Sequence, residues 1–223
     1  MDNTARAKKA QTLTIIGLVV MTVMILTKLV PSLNTAGYSV FAGIAFFFIV
    51  EAVAKTPQAE SGLRFKTLFA DLKKPGVWLW VLLPVVSAIV TLIVGNLIFG
   101  GEFVAHVMGR TGSILSFDKL PLLVGQVVVA ALGEEIAFRG FFVGKSMKLF
   151  PFRLCAVVSS ALFACAHIAA GSFGLVFFDV ATIFIDAVIY AVIYKKSGNC
   201  LVSTLSHILC NAAGIAATLI FFV

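Results

Sequence analysis

Residues 130–142 read AALGEEIAFRGFF, a stretch that places two adjacent glutamates and an arginine inside an otherwise apolar run. An ionised side chain at the middle of a membrane costs roughly 3 kcal/mol on insertion scales. On an α-helix, Glu135 and Arg139 are one turn apart with the acid before the base, so they are expected to form an ion pair. Glu134 then points about 100° away. The pattern predicts one structural carboxylate and one free for chemistry, unless all three groups only join helices.

The rest of the chain is also strongly apolar. Of its 223 residues, 61% are hydrophobic and 12% are charged, and the mean hydropathy is +1.09. These values exclude an ordinary soluble domain. The apolar blocks are long and unbroken rather than alternating, which argues against a transmembrane β-barrel. The sequence therefore predicts an all-α polytopic membrane protein with a buried polar active site.

About seven transmembrane helices are expected from the apolar blocks. The expected bounds are 12–30, 37–54, 77–99, 121–143, 154–170, 175–194 and 200–223. The segment 100–120 is of mixed polarity and predicts a surface helix followed by a loop. Because no linker or internal repeat divides the sequence, residues 1–223 are expected to form a single transmembrane domain.

The basic residues suggest how the chain crosses the membrane. They occur mainly in segments 1–11, 55–74 and 144–153 and at Lys195 and Lys196. A cytoplasmic N-terminus places all of these on one side, so the formal charge of +7 is interpreted as an orientation signal. No aromatic-basic pattern for nucleic acid is present. The small size and the lack of a transit peptide favour the plasma membrane of a bacterium.

Two later helices also carry polar groups at one-turn spacing. Phe163 and His167 share a face of the fifth predicted helix, and His207 and Asn211 share a face of the seventh. A single histidine in an apolar helix is usually a core residue, but three helices with polar groups at similar depth predict a shared site. Glu134 and His167 would hold and deprotonate a water molecule. His207 and Asn211 would donate hydrogen bonds to the oxyanion formed when a peptide carbonyl is attacked.

These residues form three motifs that resemble those of the CPBP family of intramembrane proteases (CAAX protease and bacteriocin-processing, or Abi). The motifs are, in chain order, Glu134-Glu135-x-x-x-Arg139, Phe163-x-x-x-His167 and His207-x-x-x-Asn211. The family includes Rce1-type CAAX prenyl endopeptidases, and the resemblance covers a catalytic core at about residues 121–215. It implies catalytic roles for Glu134, His167, His207 and Asn211, with structural support from Glu135, Arg139 and Phe163.

The sequence leaves the use of a metal open. Some members of the resembled family are described as metalloproteases, and Glu134, His167 and His207 offer ligand types that suit Zn²⁺. No HExxH helix is present, and the same residues serve a metal-free glutamate protease equally well. The expected partners are the lipid bilayer and a peptide or protein substrate within it, either prenylated or a leader peptide. The sequence gives no information on the oligomeric state.

Two other function classes compete with the protease hypothesis. Asp179 and Asp186 are seven residues apart, close to one face of the sixth predicted helix, where they would line a water path or bond to neighbouring helices. Together with the glutamates and histidines they would suit a proton-coupled transporter. The remaining alternative is a non-catalytic membrane protein that binds a peptide as an immunity or regulatory factor.

Overall fold

The computed structural model describes residues 3–30, 32–112, 116 and 119–221, and within these ranges all regular structure is helical. The α-helices of this part of the chain are α1 Asn3–Leu26, α2 Tyr38–Ala54, α3 Leu68–Leu72, α4 Val77–Phe99, α5 Gly101–Gly112, α6 Leu120–Glu135, α7 Gly144–Ser146, α8 Phe152–Ala166, α9 Phe173–Ser197 and α10 Cys200–Phe221. A π-helical segment, Ile136–Val143, joins α6 to α7 without a break. The expected all-α fold is confirmed.

Five helical stretches of the described chain are long and apolar enough to cross a membrane. They are Asn3–Leu29, Val77–Phe99, Leu120–Ser146, Phe173–Ser197 and Cys200–Phe221. The apolar helices α2 and α8 have only 17 and 15 residues. At 1.5 Å per residue they are about 26 and 23 Å long, less than the roughly 30 Å of a hydrocarbon core. The protein is a polytopic membrane protein, and two of its seven predicted spans are short.

The observed helix bounds differ from the expected ones in two informative places. α1 begins at Asn3 rather than at residue 12, because the Ala- and Lys-containing segment before the apolar block also favours a helix. α8 ends at Ala166 rather than at residue 170, so His167 lies at the end of this helix and not inside it. The last two residues of the expected seventh span, 222 and 223, lie outside the described residues.

The helices pack in two groups around the π-helical segment. α1 packs against α2, and both helices contact the continuous stretch that contains this segment. Gly43 allows a close approach of α2, since a Cβ atom there would lie 2.6 Å from the Cβ of Ala137. α4 packs against α9 and α10, and α8 packs against α9. The large side chains on the outer surface, such as Phe41 and Leu97, are apolar, as expected where lipid is the solvent.

α5 is the helix expected in segment 100–120, but only part of it is a surface element. Phe103 is buried and makes an edge contact with the ring of Phe178 on α9. It also lies where Gly95 of α4 leaves space, because a Cβ atom at that position would meet the Phe103 ring at 2.4 Å. α5 therefore packs inward against α4 and α9, next to the polar residues of the core.

A polar cluster fixes the connector between α2 and α4 to the turn between α9 and α10. The Asp71 carboxylate contacts Arg64 at 3.0 Å and Lys74 at 2.8 Å, and it accepts hydrogen bonds from Thr67 and from the Asn199 amide. The basic connector and the Lys195–Lys196 turn are therefore on the same face of the bundle, as the charge pattern predicts.

Candidate active site

The two glutamates lie at a change in helix type. Glu134 and Glu135 are the last residues of α6, and π-helical hydrogen bonding begins at Ile136. All eight residues of the π-helical segment are buried. Such segments are rare, and they occur frequently at functional sites. Here the segment carries Arg139 and directly follows both carboxylates.

Glu135 and Arg139 form the ion pair that their spacing predicts. Glu135 Oε1 lies 3.1 Å from Arg139 Nη1, and the two side chains are 0% and 1% exposed. Arg139 Nη2 also donates a hydrogen bond of 3.0 Å to the carbonyl oxygen of Ala187 on α9. Its guanidinium lies over the rings of Phe163 and Tyr190, 4.8 and 5.1 Å from their centroids. Arg139 thus connects the π-helical segment to α8 and α9.

His207 lies between the two glutamates. Its Nδ1 is 3.1 Å from Glu135 Oε1, and its Nε2 is 3.7 Å from Glu134 Oε2. Its ring stacks on Tyr190 at a centroid distance of 4.7 Å. With a proton on Nδ1, the ring donates a hydrogen bond to the Glu135 carboxylate, and this bond orients Nε2 towards Glu134. Glu135 therefore contacts both Arg139 and His207, and Glu134 approaches the other nitrogen of the same histidine ring.

His167 directly follows α8 and is oriented by the last turn of that helix. Its Nδ1–H donates to the carbonyl oxygen of Phe163 at 2.8 Å, which leaves Nε2 as a hydrogen-bond acceptor. Its ring contacts the Phe163 ring at 4.6 Å, and Phe163 also contacts the rings of Phe138 and His207 at 5.0 and 6.0 Å. Phe163 therefore holds the two histidines and the π-helical segment in one packed group.

A cavity of about 160 Å³ adjoins these residues. Its wall includes His167, His207 and Asn211 of the predicted site. Glu134 is not part of this wall, although its side chain is 22% exposed and it contacts His207. Within the described residues, Glu134 has an ion-pair contact with His207 and none with His167, the partner expected from the sequence. Three of the four predicted catalytic residues thus share the cavity, and the fourth approaches it beside His207.

α5 and α9 supply cavity residues outside the three motifs. Asp179 is buried and lies 3.2 Å from both His106 Nε2 and Arg110 Nη2. Arg110, Asp179 and Asp186 all belong to the cavity wall, and Asp179 also bonds to the neighbouring helix α5, which is the second of the two alternatives left open for it. The role of α5 was missed in the sequence. The available signal was the one-turn spacing of His106 and Arg110, which places two polar groups on one face.

The positions of the predicted zinc ligands do not form a metal site. Among the residues that the structure describes, no group of three or more His, Cys, Asp or Glu side chains has a geometry that could hold a metal ion. This includes Glu134, His167 and His207. Cys155, Cys165, Cys200 and Cys210 are unpaired thiols within helices.

The site can now be compared with known proteins. Residues 116–213 match the family model described as Type II CAAX prenyl endopeptidase Rce1-like. The matched segment contains all three motifs, from Glu134 to Asn211, and the resemblance drawn from those motifs is confirmed. No curated protein and no solved structure matches the chain significantly.

Proposed function

We propose that this chain, whose residues 116–213 match the family model of Rce1-like CAAX prenyl endopeptidases, hydrolyses a peptide bond of a membrane-associated substrate by means of Glu134. The observation that carries the proposal is that residues of the second and third motifs line one cavity, and that one of them, His207, contacts Glu134 of the first motif. His167, His207 and Asn211 line the cavity from α8 and α10, and Glu134 lies 3.7 Å from His207 at its edge.

In the proposed first step, Glu134 takes a proton from a water molecule that also donates a hydrogen bond to Nε2 of His167. The Nδ1 bond of His167 to Phe163 supports this role, because it keeps Nε2 free to accept. The water oxygen attacks the substrate carbonyl, and a C–O bond forms while the carbonyl oxygen becomes negative. General-base catalysis of this kind contributes about 10²- to 10⁴-fold in rate.

His207 and Asn211 are proposed to stabilise the negative oxygen. They lie one turn apart on α10 and line the same cavity, so both can donate to one atom. Glu135 accepts from Nδ1 of His207 and offsets the charge of the ring when Nε2 is also protonated. The proton held by Glu134 then passes to the leaving nitrogen, and the C–N bond breaks. A free carboxylate and a free amine are released.

The family match and the position of the site support the proposed substrate class. A buried cavity in a helical bundle suits a substrate held at the membrane, and the family match suggests a peptide with a prenylated cysteine near its C-terminus. Leader peptides are the second candidate class. We further propose a plasma membrane location in a bacterium with a cytoplasmic N-terminus, on the basis of the distribution of Lys and Arg.

The testing experiment is a cleavage assay in liposomes with internally quenched peptides. The panel contains a prenylated CAAX peptide, the same peptide without the lipid, and an apolar leader peptide. Wild type is expected to cleave at least one of them at a single bond identified by mass spectrometry, while identically purified Glu134→Gln cleaves none. A parallel series with chelator tests the zinc-dependent alternative. Binding without cleavage by wild type would instead support the non-catalytic peptide-binding alternative.

A further inference from the structure

Two buried polar atoms next to the cavity lack partners in the part of the chain that the structure describes. They are Nε of Arg110 and Oδ1 of Asp186, and both residues belong to the cavity wall. One is a hydrogen-bond donor and the other is an acceptor. Buried polar atoms are nearly always paired, since an unpaired one costs about 1–3 kcal/mol. An occupant of the cavity is therefore expected to supply a hydrogen-bond acceptor for Arg110 Nε and a donor for Asp186 Oδ1.

Both atoms are held in defined positions. Arg110 Nη2 bonds to Asp179 Oδ1 at 3.2 Å, and Asp179 is itself held by His106 at 3.2 Å. This fixes the guanidinium plane and hence the direction of its Nε–H. Asp186 follows Asp179 by about two turns on α9, and one turn later Tyr190 stacks on His207 at 4.7 Å. The donor and the acceptor are thus built on the same scaffold as the histidine of the proposed site.

The size of the cavity limits what can occupy it. Its volume of about 160 Å³ is several times the roughly 30 Å³ that one water takes in the liquid. It is smaller than the roughly 300 Å³ at which pockets for drug-sized ligands begin. The remaining wall is largely apolar, with Leu92, Phe103 and Ile183. A short piece of extended peptide fits these limits, and each peptide unit supplies one carbonyl oxygen and one N–H.

We propose that this cavity is a subsite that binds the main chain of the substrate next to the cleaved bond. Arg110 Nε–H donates to a backbone carbonyl of the substrate, and Asp186 Oδ1 accepts from a backbone N–H. The proposal rests on the proposed function and deepens it. Because the contacts are made to the main chain, substrate residues at this subsite are selected by size and apolarity rather than by a particular polar side chain.

The first test measures binding rather than cleavage. The probe is a fluorescent prenylated CAAX peptide, and the protein is Glu134→Gln in lipid nanodiscs, so that the peptide is not consumed. Adding Arg110→Lys keeps a charge for Asp179 but removes the donor at Nε, and is expected to weaken binding about 10-fold. Thr111→Val on the same helix is the matched control. The Thr111 hydroxyl donates to the carbonyl oxygens of Val107 and Met108 within α5 and is not part of the cavity wall, so the Kd should stay within about twofold.

Asp186 has its own matched pair of variants. Asp186→Leu removes the acceptor and is expected to weaken binding about 10-fold. Asp186→Asn keeps an oxygen at the same position and should bind within about threefold of the parent. The opposite pattern, in which Asn is as weak as Leu, would show that the charge of Asp186 matters rather than its acceptor. That result would overturn the proposal.

Substrate analogues locate the contact on the peptide. Each amide of the last three residues is replaced in turn by an ester, which removes one N–H. One ester is expected to weaken binding about 10-fold in the parent protein. The same ester should have no further effect in the Asp186→Leu variant, because the contact it removes is already absent there. If no ester shows this coupling, the acceptor role of Asp186 is wrong.

The outcomes separate this proposal from the proposed function. If wild type cleaves no peptide but Arg110→Lys and Asp186→Leu still weaken binding, the protease activity fails and the subsite is supported. If wild type cleaves the peptide while both variants retain the KM and the Kd of their parents, the activity is supported and the subsite is overturned. A parent that binds none of the peptides also overturns it.

Discussion

Arg139 is the residue that holds the centre of the site together. It pairs with Glu135, donates to the Ala187 carbonyl, and stacks on the rings of Phe163 and Tyr190. These contacts reach α6, α8 and α9. The pair is almost fully buried, so either side chain alone would leave a charge without compensation. The contribution of the Glu135–Arg139 pair to the free energy of unfolding is therefore best measured by replacing each residue alone and then both together.

We expect Arg139→Met or Glu135→Leu alone to lower the free energy of unfolding by about 3–5 kcal/mol, because each leaves an uncompensated buried charge. The double variant should lose clearly less than the sum of the two, since neither charge then remains. Reversible unfolding in mixed detergent micelles measures all four proteins of the cycle. Additive losses would contradict the ion-pair assignment.

The sequence allowed this pair to be predicted because its members are neighbours on one helix. The spacing of Glu135 and Arg139 decides their contact whatever the rest of the fold does. The partner of Glu134 could not be predicted in the same way. Whether His167 or His207 lies beside it depends on how α8 and α10 pack against α6, and single-helix periodicity carries no information on that packing.

At the scale of elements, the π-helical segment is the unexpected feature. The sequence predicts one continuous helix across residues 121–143, and Leu120–Ser146 is continuous, but hydrogen bonding changes at Ile136. No residue in the segment is a proline, so composition did not signal the change. The segment packs against α2 where Gly43 faces Ala137, and this close contact offers a way to test how sensitive the site is to its position.

Gly43→Ala is expected to destabilise the protein by about 1–3 kcal/mol, because its Cβ would lie 2.6 Å from the Ala137 Cβ and 3.0 Å from that residue's Cα. Part of any loss of activity should come from displacement of the two glutamates. Gly125→Ala on α6 is the matched control. A Cβ atom there meets no atom of the described residues within 4 Å, so this change should be neutral or slightly stabilising. Equal effects of the two variants on thermal unfolding would contradict this account of the packing.

At the scale of the whole molecule, the Asp71 cluster joins the first half of the chain to the last two helices. Burial on its own would raise the pKa of Asp71, but the hydrogen bonds from Lys74, Thr67, Arg64 and Asn199 outweigh it, so the pKa lies well below that of a free carboxyl. A carboxyl whose pKa is lowered by folding stabilises the fold when it is ionised. This stabilisation is complete above the unfolded pKa of about 3.9 and is lost as the pH falls from there towards the folded pKa.

We therefore expect Asp71→Asn to lower the free energy of unfolding by about 1–3 kcal/mol at pH 7, where wild type has the ionised carboxylate. The difference between the two proteins should shrink as the pH falls below about 4. Thermal unfolding in detergent between pH 3 and pH 7 measures both. A difference that is independent of pH would show that the charge of Asp71 contributes nothing.

The general architecture was predictable because apolar blocks in a membrane protein must be helical. The apolar block at 77–99 coincides with α4. The mixed composition of α5, in contrast, did not decide whether this helix lies at the surface or packs into the bundle. Its inner contacts, from Phe103 to Phe178 and from Arg110 to Asp179, are made across more than 60 positions of sequence and depend on the assembled bundle. The cavity was unpredictable for the same reason, since its wall combines residues of α4, α5, α8, α9 and α10.

The central claim is that Glu134 activates the water that attacks the peptide bond. The most direct measurement compares kcat and KM of wild type and Glu134→Gln on a cleaved panel peptide, with thermal unfolding of both. We predict a loss in kcat of at least about 10²-fold with a similar KM and an unchanged unfolding temperature, because Gln keeps the shape but cannot accept the proton. A folded Glu134→Gln protein that cleaves at the wild-type rate would contradict the claim.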